Sequence, residues 1–147
     1  MLITQKCHYA MRAVFELALR YNKKSGPTKI AEIAKAQAIP LRFLEVILSQ
    51  MKQGGFVGSQ RGSEGGYYLL RPPDKLMVGE VIRFIQGPVL PLEVRKKEIT
   101  SKEDRVFQEL WRKVEDAISG VYDSVTFGSL VERWEKTQDA PVLHYNI

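Results

Sequence analysis

The sequence predicts a mainly α-helical fold that carries one small β-hairpin between a cluster of short helices and a long C-terminal helix. Three observations support this. Apolar residues recur at spacings of three and four in five segments, each bounded by turn residues. One glycine-rich stretch, RGSEGG at 61–66, joins two short β-like runs. Residues 103–124 hold apolar positions at the 3.5-residue period of a two-helix seam.

The first helix is expected over 4–21. Cys7, Ala10, Met11, Val14, Leu17, Ala18 and Tyr21 form one apolar stripe. Arg12, Glu16 and Arg20 then fall on the opposite, solvent-facing side, and Thr4 is placed to cap the start. Asn22 to Pro27 ends the helix. Thr28 caps a second, short helix over 28–37, with Ile30, Ile33 and Ala34 turned inward. Ala38-Ile39-Pro40 breaks it, because proline suits only the first turn of the helix that follows. That third helix, Leu41 to Gln53, buries Leu44, Ile47, Leu48 and Met51, and Gly54-Gly55 closes it. Strand-like runs at 56–60 and 67–70 flank the glycine-rich turn, and Pro72-Pro73 stops the second. A fourth helix over 78–86 ends at Gly87-Pro88. Residues 88–102, with Arg95-Lys96-Lys97, read as an irregular connection. Phe107, Trp111, Val114, Ile118, Val121 and Val125 follow at spacings 4, 3, 4, 3, 4, which is a pairing seam. Thr126 opens a shorter segment over 127–136.

Composition narrows the function classes. With 44% hydrophobic and 27% charged residues in 147, the chain reads as a globular protein. No apolar run reaches the roughly 20 residues that span a bilayer, and no secretory signal is apparent. A single cysteine supplies neither a disulfide framework nor a zinc site, and a reducing cytoplasm is the expected location. Charge is uneven. Residues 1–87 hold 13 Lys and Arg against 6 Asp and Glu, whereas 88–147 hold 9 against 11. A basic first half suggests a polyanion partner for that half.

The segment 28–53 carries the strongest functional signal, a helix, a tight turn and a second helix. The crossing needs a small residue on the first helix, which is Ala34, and an apolar lock on the second, which is Leu44. The turn position is Ala38 where glycine is common, tolerable at about 1 kcal/mol if the backbone there is left-handed. Generic helical hairpins can imitate this pattern. On the exposed face of the third helix, Arg42, Glu45, Val46 and Ser49 lie at i, i+3, i+4 and i+7. Arginine can donate to guanine, glutamate can accept from cytosine, and valine can touch a thymine methyl. The plain alternative is a solvated face. RGSEGG lacks the strand-to-helix context and Lys-Ser/Thr of a phosphate-binding loop, so a hairpin wing is the better account. Arg61 at its edge suits a minor groove. Thr28 and Gly65 complete the expected DNA-contact set.

No catalytic residues and no metal site are expected. His8 and His144 lack motif partners, and Cys7 lies on the apolar stripe as a small hydrophobe, with a redox thiol as the lesser alternative.

The run Tyr9-Ala10, then AEIAKAQAIPLRFLEVILSQMKQGGFV, RGSEGGYYLLRPP, VGEVIRFIQGP and the late DSVTFGSL resemble the bacterial BadM or Rrf-two family. These regulators include sensors of iron–sulfur clusters, of nitric oxide and of cysteine metabolism. The resemblance covers nearly the whole chain, and the wing is its most specific part. It implies a winged helix-turn-helix DNA-binding domain over 1–87, a connecting loop over 88–102, and a dimerisation helix with C-terminal segment over 103–147. It implies a homodimer on palindromic duplex DNA, with Glu45 as the base-reading acid, Arg61 as the wing arginine and Tyr9 as a backbone contact. The family often has a small polar residue where this chain has Arg42 and glutamine where it has Val46, so base preference should differ. Sensor members carry three cysteines in the loop before the long helix, and GPVLPLEVRKKEITSKEDR has none. The expectation is therefore a cluster-free regulator without cofactor, a repressor answering to a protein or small-molecule effector. The alternative is a winged-helix module whose main partner is another protein.

Overall fold

The computed structural model of the chain describes residues 2–23, 26–90, 94 and 98–139. Helix α1 (Gln5–Tyr21) begins as expected, with the Thr4 hydroxyl accepting from the Cys7 N–H at 3.1 Å. It is the axis of the fold, with α2 (Ile30–Gln37), α3 (Leu41–Gln53) and later elements packed around it. Small residues make this possible. Cys7, Ala10, Ala13 and Ala18 are all buried and let neighbouring helices approach closely.

The turn between α2 and α3 is left-handed at Ala38 (φ 51°, ψ 46°), and buried Ile39 anchors it. The buried stripe of α3 is the predicted one: Leu44, Ile47, Leu48 and Met51, each stabilising the fold by roughly 1.5–3 kcal/mol. Beyond it, β1 (Val57–Gln60) pairs antiparallel with β2 (Gly66–Leu69), with Val57 opposite Leu69 and Gln60 opposite Gly66. After a short 3-10 turn, Pro73–Lys75, comes α4 (Val78–Gln86). Glu80 fixes its start, accepting from the Met77 N–H at 3.0 Å and from both terminal nitrogens of Arg71 at 3.0 Å. This ties the end of the hairpin to α4.

Helix α5 (Lys102–Tyr122) starts at Ser101, whose hydroxyl accepts from the Asp104 N–H at 3.0 Å, with Glu103 and Asp104 complementing the helix dipole. None of its residues is buried. Helix α6 (Phe127–Asp139) then returns to the head, and the Thr126 hydroxyl caps it by accepting from the Ser129 N–H at 3.0 Å. It packs on α1 and on the 3-10 turn, with Phe127 and Val131 buried. Backbone bonds from Val78 N–H to Val125 and from Phe127 N–H to Leu76, both 2.9 Å, seal the return.

Two expectations are corrected. Thr28 does not cap α2. Lys29 holds the N-cap position, without a side-chain bond. Thr28 is instead buried and exchanges two 2.8 Å backbone bonds with Tyr67, an isolated antiparallel bridge onto the wing. Two ladder bonds outweigh one cap. Glu16 is not on a solvent face either. It is buried, accepting from Arg20 Nε at 2.9 Å and from Gln37 Nε2 at 3.0 Å. Helix α1 is covered on most sides, so its polar stripe meets α2. Residues 91–93 and the triplet Arg95-Lys96-Lys97 of the 88–102 connection, and the tail from 140 with His144, lie outside the described residues.

Candidate nucleic-acid interface

The buried stripe of α3 fixes which way its other residues point. With Leu44, Ile47, Leu48 and Met51 inward, Arg42, Glu45, Val46 and Ser49 are all exposed, as the spacing requires. Val46 is 54% exposed, an aliphatic side chain left in water on a charged face. Neither Arg42 nor Glu45 makes an ion pair among the described residues. By contrast Arg20, Arg71 and Arg83 of the same head are each held by a carboxylate. The cations left for a polyanion therefore include Lys6, Lys29, Lys35, Arg42, Lys52 and Arg61.

Arg42 is not loose. Its guanidinium lies 4.8 Å from the centre of the Phe43 ring, and that ring stacks on Tyr9 at 6.2 Å and 28°. Tyr9 in turn accepts a 3.1 Å hydrogen bond from Gln5 Nε2. The start of α1 is thus joined to the exposed face of α3. Phe43 was missed in reading the sequence. Its place next to Leu44, outside the buried stripe, was the available signal.

Arg61 stands exposed just past β1, at the start of the hairpin turn. The turn closes through the Gly65 N–H donating to the Gly62 carbonyl at 3.0 Å. Gly65 is buried, and a Cβ there would run into the Gln60 carbonyl oxygen, so the turn requires glycine. Thr28 and Gly65 are thus buried parts of the wing's frame, whereas Arg61 is exposed on the wing, Arg42, Glu45, Val46 and Ser49 are exposed on α3, and Tyr9 of α1 lies half-buried against Phe43.

On α5 the predicted seam is an open apolar face. Phe107 is 55% and Val121 60% exposed, Trp111 is exposed, Val114 and Ile118 are half-buried, and Val125 packs onto the head. Exposed Val106 and Leu110, not foreseen, widen it.

The donor set does not fit an iron–sulfur cluster, which needs thiolates or a mixture of thiolates and imidazoles. The chain has one cysteine, Cys7, fully buried on the core stripe of α1, where burial pushes the thiol pKa up. His8 beside it points to solvent. Among the described residues no group of three or more His, Cys, Asp or Glu could hold a metal ion. No helix among them is long and apolar enough to cross a membrane.

Comparison with known proteins agrees with this architecture. The family model described as Rrf2, iron-dependent transcriptional regulator, matches residues 3–133. The HTH-type transcriptional regulator CymR of Bacillus subtilis is 34% identical over 140 residues, covering 95% of this chain and 96% of the relative. The HTH-type regulator IscR of Cronobacter sakazakii is 35% identical over 136 residues, covering 92% and 83%. Among solved structures, that of B. subtilis CymR superposes with a TM-score of 0.77 at 32% identity, covering 90% of this chain and 98% of the other. T. potens IscR superposes at 0.79 and 31% identity, covering 97% and 94%. A helix-turn-helix with a hairpin wing, matched over nearly its whole length in sequence and in structure, places this chain in the Rrf2 family of transcriptional regulators.

Proposed function

We propose that the protein is a cytoplasmic repressor that binds a palindromic DNA site as a homodimer, by binding alone and without an iron–sulfur cluster. The observation that carries this is the exposed face of α3, where Arg42, Glu45, Val46 and Ser49 stand clear of the core and unpaired by the rest of the head. Inserted in a major groove, this face offers a donor for guanine, an acceptor for cytosine and an apolar contact for thymine. Arg61 enters the adjoining minor groove, Tyr9 approaches the backbone, and the free lysines supply salt-sensitive phosphate affinity. Thr28 and Gly65 hold the wing in position and serve DNA binding through it.

A second copy covers the face of α5 formed by Phe107, Trp111, Val114, Ile118 and Val121, joined by Val106 and Leu110, while Val125, expected in the seam, packs onto the head. An exposed apolar face of this length is costly in water unless it is paired. On this reading 1–87 and α6 together form the head, 103–125 pairs the two copies, and 88–102 connects them. Two heads on one helix pair read half-sites about 34 Å, or one helical turn, apart. A protein or small-molecule effector acts by shifting the geometry of α5 or of the 88–102 connection.

The test is selection of bound sequences from random duplex DNA with the purified full chain at near-physiological salt. Enrichment of a palindrome, with affinity falling steeply as salt rises, is the expected result. No enrichment with weak salt dependence would favour a protein partner instead.

A further inference from the structure

Beside the reading face of α3 lies a recess of about 180 Å³ lined by Gln5, Lys6, Tyr9, Phe43, Val46 and Ile47. Within the lining Ile47 is buried, the rings of Tyr9 and Phe43 stack on each other, and Val46, which belongs to the reading face, is half-exposed. We propose that this recess is a specificity subsite for the 5-methyl group of a thymine, with Phe43 as a contact residue. This rests on the reading that α3 enters a major groove.

Chemistry selects the occupant. The lining next to Val46 is aromatic and aliphatic, and the polar groups, Lys6 and Gln5, come from the start of α1. The natural major groove displays donors and acceptors on every base edge, but only one apolar group, the thymine methyl. Laying the recess's apolar part, Phe43, Val46 and Ile47, against a polar edge would desolvate that edge without a hydrogen bond, which is unfavourable. Against a methyl it gains apolar burial. Lys6, exposed in the same lining, supplies a cation for the phosphate backbone beside that base. The Arg42 guanidinium over Phe43 keeps a guanine-seeking donor next to the methyl site, so the subsite reads a thymine neighbouring a position that Arg42 reads.

The experiment uses the full chain and a palindromic site recovered by selection. Each thymine is replaced in turn, symmetrically in both half-sites, by deoxyuridine, which removes only the methyl group. Burial of one methyl corresponds to about fourfold in affinity, and two half-sites to about fifteenfold. The expected result is one thymine position per half-site with a loss of that size, and others within about twofold. In Phe43→Ala, and separately in Val46→Ala, the loss at that position should shrink to about threefold or less. Both side chains are substantially exposed, so the variants should fold. A selected site in which no thymine shows a loss beyond about twofold overturns the subsite. So does an unchanged loss in both variants. Either result leaves specific binding intact, and with it the groove-reading role of α3. Failure to enrich any site overturns that role and the subsite together.

Discussion

Phe127 provides the sharpest test of how this chain is assembled. It opens α6, a helix that the sequence assigns with the dimerisation segment but that docks in the head between α1 and the 3-10 turn. Its ring is fully buried. Truncating such a phenylalanine leaves a cavity and costs about 3–5 kcal/mol. For a chain of 147 residues each kcal/mol corresponds to about 2–4 °C in Tm. Phe127→Ala should therefore melt roughly 10–15 °C below the parent chain. Trp134 is the control from the same helix. It is exposed and meets Phe15 edge-on at 6.4 Å, so Trp134→Ala should lower Tm by no more than about 5 °C. The assay is thermal unfolding followed by circular dichroism, at one high protein concentration so that dissociation of a dimer does not enter the comparison. If Phe127→Ala melts within about 2 °C of the parent, α6 is not part of the head's core and the reasoning fails.

Arg61→Ala should weaken binding to a selected site by about tenfold or more with Tm unchanged, and fluorescence anisotropy showing equal affinity would remove Arg61 from the interface. Trp111→Ala should shift the chain toward monomer without unfolding the head, and sedimentation of an intact dimer at low micromolar concentration would argue against the seam. Ala38→Gly should raise stability by about 0.5–1 kcal/mol, since a left-handed alanine is strained by more than glycine loses in entropy. A fall in Tm would contradict the turn geometry. Arg83 holds the Asp123 carboxyl below the ordinary aspartate range through a hydrogen bond and its charge. A lowered folded pKa stabilises above the unfolded value and is lost as pH falls through the folded one. Asp123→Asn should therefore melt below the parent at neutral pH, with the gap closing only as pH falls below the ordinary aspartate range. A gap that persists in acid would mean the pair acts through packing.

The parts of the fold legible in the sequence are those fixed by neighbours along the chain. Helix α3 runs from Leu41 to Gln53 as expected because Pro40 and the paired glycines bracket a strict apolar stripe. That stripe also fixed the reading face by exclusion. What was not legible depends on distant partners. Glu16 reads as half of a solvent pair with Arg20, and only Gln37, arriving from α2, makes it a buried acceptor. Thr28 carries both a capping hydroxyl and a β-branched backbone, and the choice between them is made by Tyr67, on the far strand of the hairpin. Phe43 belongs neither to the core stripe nor to the polar face, and its role appears only when Tyr9 stacks against it.

Helix α5 joins two kinds of surface whose combination matters more than either alone. Its apolar face is open along much of its length, but its C-terminal end is clamped to the head. The Arg83 guanidinium bonds both carboxylate oxygens of Asp123 at 2.6 and 3.0 Å, Val78 donates to the Val125 carbonyl, and Phe127 follows at once into the core. The clamp reaches α4, and α4 packs on α1, which also carries α3. A rotation of α5 about its own axis therefore pulls on α4 through the Arg83–Asp123 pair and on the buried Phe127 through the chain that follows. In the proposed dimer a small change at the seam would thereby reach the angle between two reading faces, and half-site spacing would convert that angle into affinity.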